Sequence, residues 1–179
     1  MRIRCLIFMI LLSLVALSAT SSASTARRLS EDELITEADR VVTVTLKEPG
    51  KSAWDSEFKR IYTTYSFEVE EDLTGTGEKN FDLVQPGGEV EDIAQRADGF
   101  PTFNPGDRVV LFLRKSDAGY RVVGLSQGVF ELRKDNGVEK LVQRLERLHL
   151  IGDQKASLQI ERGHLLNQIQ KVWAKKKVR

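Results

Sequence analysis

The stretch from Arg60 to Leu73 constrains the fold more than any other part of the chain. Its sequence, RIYTTYSFEVEEDL, alternates apolar or β-branched residues with polar ones. A period of two predicts a strand with one buried and one solvent-facing side, so Tyr65 and Phe67 should point into a core. At about 3.3 Å per residue the strand would span roughly 40 Å, which favours one that bends and serves two sheets or both halves of a small barrel.

Residues 1–26 have the organisation of a secretory signal peptide. Two arginines precede an apolar run of about a dozen residues, and a region of small and polar residues follows, with cleavage expected near Ala23 or Ala26. The run is too short for a comfortable bilayer span, so we expect a secreted or periplasmic protein without a transmembrane anchor after cleavage. The only cysteine, Cys5, precedes the run, so the mature chain would contain no disulfide.

The charge of the mature chain is unevenly distributed. Five of its basic residues lie in the last nine positions, and without them the chain carries 20 Lys and Arg against 26 Asp and Glu, a net charge of −6. An acidic body does not suit a groove for the phosphate backbone. We therefore expect no nucleic-acid partner, and we expect the basic tail to complement the end of a helix.

Capping signals, periodicity and turn residues predict the remaining elements. They are a helix over 31–38, strands over 41–46, 80–85, 107–114, 120–125 and 129–133, a polar loop over 51–59, a long loop over 86–105 with a short strand near 89–93, and a helix from about 157 or 163 to 174.

The stretch 138–148 fits either a helix or a hairpin strand, and the Asp135-Asn136-Gly137 turn before it favours a strand over 139–144. The order of elements predicts a mainly β protein: a small antiparallel OB-like barrel over residues 27–151, with a short N-terminal helix. Residues 152–179 would add a C-terminal amphipathic helix and the basic tail. An open β-sandwich is the alternative.

Five segments carry a resemblance to a known family: ADRVVTVTL, RIYTTYSFEVEEDLTG, VQPGG, GFPTFNPGDRVVLFL and YRVVGLSQGVFEL. They resemble a family of small secreted bacterial proteins without an assigned function, over roughly Leu34 to Ile151. Such proteins are often encoded near matrixin-like metalloproteases. The resemblance thus implies a secreted protein such as a metalloprotease as a partner.

The predicted strand order is also similar to that of the N-terminal domain of tissue inhibitors of metalloproteinases. That family has an OB barrel and inhibits through an N-terminal cysteine that chelates the catalytic zinc. The mature chain has no cysteine, so the likeness implies the barrel but not that mechanism.

Catalytic and metal-binding patterns are weak in this sequence. His149 and His164 are 15 positions apart and lie outside the predicted barrel strands. Ser126 lies in a GxSxG pattern, but strand residues follow it where a nucleophile elbow needs a helix. The acidic residues of the long strand share its solvent-facing side, as solubility alone would place them. We therefore expect no enzyme, no cofactor and no metal site.

The long loop and the aromatic residues near it provide the strongest candidate site. Exposed together, Trp54, Phe100 and Phe103 would form a contact patch for a partner protein, beside Pro86, Gly87, Gly88 and Pro101. The competing interpretation is that these aromatic side chains fill the ends of the barrel.

Two other functions remain open from the sequence. A small secreted hydrolase would use Ser126 or surface carboxylates such as Glu70. A groove for oligosaccharides would need aromatic side chains on the outer strand faces, where Tyr62 is the candidate on the long strand.

Overall fold

The computed structural model describes residues 24–75, 77–116, 119–152 and 157–176. Most of the predicted signal peptide and the end of the basic tail lie outside these ranges. In chain order the elements are β1 (Ser24–Arg27), α1 (Glu31–Glu37), β2 (Arg40–Leu46), β3 (Lys51–Asp55), β4 (Arg60–Asp72), β5 (Asn80–Pro86), β6 (Gly88–Val90), β7 (Ile93–Gln95), β8 (Arg108–Ser116), β9 (Gly119–Val122), a 3₁₀ helix (Leu125–Gly128), β10 (Val129–Asp135), β11 (Val138–Gln143), β12 (Leu148–Ile151), β13 (Gln159–Glu161) and α2 (Arg162–Lys176).

Five strands close into a barrel, so the sequence prediction of a small, mainly β barrel is confirmed. β2 pairs with β4, β4 with β5, β5 with β9, β9 with β8, and β8 returns to β2. The prediction of antiparallel pairing is wrong between β5 and β9, which run parallel and pair only through Leu83 and Tyr120. An odd number of strands cannot alternate in direction around a closed ring, so one pair must be parallel.

The long strand β4 organises this barrel. Its inward residues Ile61, Thr63, Tyr65 and Phe67 are buried, and the residues between them are half-buried or exposed. β3 pairs with its first half and β2 with its second half, while β5 pairs along the middle. One continuous strand therefore links the closed barrel to the extension formed by β3, because alternate side chains supply a buried face along its length.

The buried side chains form two cores that share β8. Leu111 and Leu113 point into the barrel, and Val110 and Phe112 point into a second core beneath the two helices. This confirms that the apolar run in β8 is a strand buried on both faces. The second core is completed from β10, β11 and α2, where Leu165 and Ile169 are almost fully buried.

The helices begin where the sequence indicates. Ser30 caps α1, with its hydroxyl accepting the Glu33 N–H and the Glu33 carboxylate accepting the Ser30 N–H at 2.8 Å. β11 confirms a strand rather than a helix over most of 138–148. None of the helices in the described ranges is long and apolar enough to cross a membrane.

The polar loop predicted over 51–59 is wrong, because its first half is β3. Lys51–Asp55 pairs antiparallel with Arg60–Thr64 and forms a hairpin. The strand is mostly exposed, so its sequence, KSAWD, shows no burial period from which a strand could be predicted. This hairpin extends the sheet beyond the closed barrel and forms one wall of the candidate site.

Candidate functional site

A groove with a volume of about 880 Å³ crosses β3, β4 and β5 and reaches the seam with β9. We call it the aromatic groove, because five aromatic side chains line it: Trp54, Phe58, Tyr62, Phe100 and Tyr120. Trp54 and Phe58 are 46% and 59% exposed, respectively. Exposed aromatic side chains gathered in a concave site are typical of a surface that binds a partner.

The turn between β3 and β4 positions one end of the groove. Asp55 Oδ1 accepts the N–H groups of Glu57 and Phe58 at 2.9 and 3.0 Å, and Lys59 takes a left-handed conformation with φ of 50°. An aspartate that bonds to backbone groups two and three residues ahead stabilises a tight turn. The turn leaves the Phe58 ring in solvent at the rim of the groove.

The long loop after β5 forms the opposite wall. Gly87 N–H donates to Ile61 O at 2.8 Å, and the Gln95 side-chain oxygen accepts the Ile61 N–H at 2.7 Å. These two bonds tie the β6–β7 hairpin to the start of β4. Residues 97–101 then return across the groove, and this path brings Phe100 and Pro101 to its lining.

Gly88 allows the hairpin to approach β4 closely. Its φ is +136°, and a Cβ atom there would lie 2.3 Å from Thr63 Oγ1 and 2.5 Å from Ser52 Oγ. These separations are too short for any side chain unless the neighbours move. The VQPGG segment therefore needs glycine at this position for steric reasons.

Gln85 connects the groove to a second, inner pocket of about 420 Å³ beneath the hairpin, since it lines both. Gln85 is only 5% exposed, yet its side-chain amide has no hydrogen-bond partner among the described residues. The amide is not among the fully buried polar atoms that lack a partner, so it is open to the cavities, and a ligand with one donor and one acceptor could hydrogen-bond to it. The Gln85 amide is therefore the best candidate for a polar contact with a bound molecule.

Two arginines that line the aromatic groove, Arg60 and Arg121, lack a carboxylate partner within the described part of the chain. Elsewhere arginines are commonly paired, as Arg114 is with Glu37 at 2.6 Å. Asp55 is the carboxylate in the lining of the aromatic groove, so the two arginines leave this groove with an excess of positive charge on a chain whose body is acidic.

The structure brings together most of the residues predicted from the sequence. Trp54, Pro86, Phe100 and Pro101 line the aromatic groove, and all of these except Trp54 also line the inner pocket. Gly87 and Gly88 lie in the wall of that inner pocket. These six residues thus belong to two adjoining cavities.

Phe103 is not brought to either cavity. It is 5% exposed and lies in the barrel core, with its ring centroid 5.2 Å from that of Tyr65 and 5.1 Å from that of Phe67. The Arg144 guanidinium lies 5.1 Å from the Phe103 ring centroid. Phe103 therefore helps to fill the barrel, and it does not belong to an exposed contact patch.

Several residues of the groove were not predicted as site residues, namely Phe58, Val84, Gln85 and Tyr120. Gln85 could have been predicted as a site residue, because it is a polar residue that follows Phe81 and Leu83 on the inward side of β5. A polar residue at an inward position needs a hydrogen-bond partner. Tyr120 could not have been assigned, since the β5–β9 pairing depends on closure of the barrel.

Ser126 does not have the surroundings of a nucleophile. It is 0% exposed within the 3₁₀ helix, and its hydroxyl accepts the Glu146 N–H at 3.2 Å. The segment continues into β10 rather than into an α-helix, so no strand-to-helix elbow presents the hydroxyl to a substrate.

Glu70 and His164, both outside the groove, take part in surface contacts. Hydrogen bonds from the Thr45 hydroxyl and Arg108 lower the pKa of the Glu70 carboxyl. His164 contacts Glu31 at 3.3 Å between α2 and α1. Within the described ranges, no group of three or more His, Cys, Asp or Glu side chains could hold a metal ion.

Comparison with known proteins gives no family assignment. No family model matches the chain, and neither the curated proteins nor the solved structures contain a significant match. The function is therefore inferred from the site alone.

Proposed function

We propose that this protein is a secreted or periplasmic binding module without catalytic activity, and that its aromatic groove holds a segment of a partner protein. The observation that carries the proposal is the exposure of Trp54 and Phe58 in one groove with Phe100. Tryptophan and other aromatic side chains contribute most to many protein interfaces, because they bury a large area at a small cost in conformational entropy.

Two further features favour a polypeptide as the occupant. The unpartnered amide of Gln85 offers one donor and one acceptor face, which matches a peptide group. Arg60 and Arg121 would attract carboxylates that flank an apolar anchor, since charge complementarity steers association. We therefore propose an extended segment with an apolar or aromatic anchor and an acidic neighbour, and the resemblance described above makes a secreted metalloprotease the first partner to test.

We also propose that the barrel is of the OB kind. Numbering the barrel strands β2, β4, β5, β8 and β9 from one to five gives the order 1-2-3-5-4 around the ring. The aromatic groove lies on strands two and three and on the hairpin between strands one and two. Ligands of OB folds bind at the corresponding face and loop, which supports the groove as the functional surface.

The test is recovery of partners from the secreted fraction with the mature protein as bait. Trp54→Ala combined with Phe100→Ala should lower the affinity for each specific partner by at least roughly tenfold, because both side chains belong to the groove. Ile93→Ala combined with Val138→Ala is the matched control, since both residues are exposed and apolar but lie outside the groove. Equal recovery of the same partners by the two double variants would contradict the proposal.

An oligosaccharide is a second candidate occupant, because Tyr62 lies in the groove on an OB-type binding face as the sequence alternative required. Titration of a panel of soluble glycans, followed by Trp54 fluorescence, distinguishes the two. A saturable change with a glycan that also competes with the protein partner would assign the groove to carbohydrate.

The absence of catalysis is tested separately. A broad hydrolase substrate panel should show no turnover, and Ser126→Ala and Glu70→Gln are the variants that identify the source of any turnover found. Activity that either substitution abolishes would overturn the non-enzymatic part of the proposal.

A further inference from the structure

The outer edge of β3 is unpaired. β3 pairs with β4 along one side, and among the described residues no strand pairs with the other side. β8 does not extend as far as β3, because its pairing with β2 ends where Thr45 lies opposite Arg108, the first residue of β8. A free edge exposes a row of backbone donors and acceptors that can pair with another chain.

The direction of the free backbone groups follows from the neighbouring hydrogen bonds. Ile61 O accepts from Gly87 N–H, so the polar backbone groups of Ile61 point away from β3. The neighbouring residues of β4, Arg60 and Tyr62, therefore form the backbone hydrogen bonds to Asp55 and Ala53 of β3. It follows that Ser52 and Trp54 point their N–H and C=O groups outward, to the free edge.

The sequence of this edge, KSAWD, is complementary to itself. We propose that two copies of the chain pair through antiparallel β3 strands about a twofold axis at Ala53. In that register Ser52 and Trp54 of one copy form hydrogen-bonded pairs with Trp54 and Ser52 of the second copy. This is the self-pairing that uses both outward-pointing residues of both strands, and a twofold interface requires such self-complementarity.

Charge complementarity supports a second copy as the occupant of the edge. Lys51 of one copy lies directly opposite Asp55 of the other, and the pairing repeats on both sides of the axis. Lys51 is exposed and has no carboxylate partner in the described part of the chain. Asp55 uses Oδ1 for its turn, which leaves Oδ2 for the lysine of the second copy.

The centre of the pairing is also sterically open. Ala53 is exposed and would face Ala53 of the second copy as a non-hydrogen-bonded pair. Cα atoms in such pairs lie about 4.5 Å apart, which leaves room for a methyl group on each side. The same separation falls within the range that a disulfide can bridge.

A single cysteine at the axis tests the register directly. Ala53→Cys, in a Cys5→Ser background, should form a disulfide-linked dimer under mild oxidation, visible on a non-reducing gel. Ala94→Cys in the same background is the matched control, because Ala94 is an exposed alanine of a short strand outside the edge. Crosslinking of Ala53→Cys no faster than that of Ala94→Cys would overturn the proposal.

Sedimentation velocity of the mature chain tests the association itself. The wild-type chain should sediment as a dimer at high concentration, and Lys51→Asp should weaken dimerisation by roughly tenfold or more, because it places like charges opposite each other. Lys115→Asp, at another exposed lysine without a carboxylate partner among the described residues, should leave the equilibrium unchanged. A wild-type chain that stays monomeric throughout the concentration series would refute the proposed dimer.

Discussion

Replacement of Gly88 by alanine tests the steric basis of the candidate site. The new Cβ would lie 2.3 Å from Thr63 Oγ1 and 2.5 Å from Ser52 Oγ, at a φ of +136°. A non-glycine residue in such a conformation costs about 1–3 kcal/mol, and overpacking adds about 1–3 kcal/mol. We expect Gly88→Ala to lower the free energy of unfolding of the mature chain by about 2–6 kcal/mol, measured by urea denaturation.

The two contributions can be separated with a control variant. Gly106 also has a positive φ, +91°, but a Cβ there would meet nothing within 4 Å. Gly106→Ala should therefore lower the free energy of unfolding by the conformational part alone, about 1–3 kcal/mol. The steric explanation is refuted if Gly88→Ala destabilises the chain no more than Gly106→Ala does.

A double-mutant cycle locates the clash. Ser52 Oγ and Thr63 Oγ1 are 2.9 Å apart and form the floor against which the hairpin packs. Ser52→Ala removes one of the two contacted oxygens, so the double variant with Gly88→Ala should be about 1 kcal/mol more stable than additivity predicts. Strict additivity would mean that the hairpin lifts off β4 instead.

The remaining predictions concern the buried cation, the capping box and processing. Arg40 is 0% exposed and pairs with the carboxylates of Asp72 and Glu78, each at 3.0 Å. Arg40→Met should therefore lower the free energy of unfolding in urea by about 3 kcal/mol. The control Arg121→Met, at an exposed position, should lower it by about 0.5 kcal/mol or less. Hydrogen bonds from the Ser30 backbone and then from Arg27 lower the pKa of the Glu33 carboxyl to about 2. The stabilisation that ionised Glu33 gives the folded chain should be complete at pH values above 4.5, the ordinary pKa of the group, and should be lost as the pH falls through about 2. An NMR titration of Glu33 can follow this change. For the proposed secreted form, intact mass should place cleavage after residue 23, because cleavage after residue 26 would remove most of β1.

The local pattern was enough to predict β4 and β8, the two strands that contribute most clearly to the cores, but not β13, whose Ile160 completes the second core. Alternation in β4 and the continuous apolar run of β8 each determine which side chains are buried, whichever strands come to pair with them. The box formed by Ser30 and Glu33 likewise depends on only four consecutive residues. These features could be predicted because their energetics act over a few neighbouring positions.

The site itself was predicted only in part. Trp54 and Phe100 were recognisable as aromatic residues in segments of turn character, but β3 was assigned to a loop, because an exposed strand carries no burial period. Phe103 lies in the same predicted loop as Phe100, three residues later, and yet it is buried against Tyr65 and Phe67. Which of two nearby phenylalanines enters the core depends on the path of the loop across the barrel.

The sequence by itself determined the inward and outward faces of β4 and the start of the first helix. Only the tertiary structure decided that Gly88 must be glycine, that Gln85 would lie between two cavities and that, among the described residues, the outer edge of β3 would have no paired strand. The physical reason is that burial patterns are set by adjacent residues, whereas cavities and free edges arise where segments far apart in the chain meet or fail to meet.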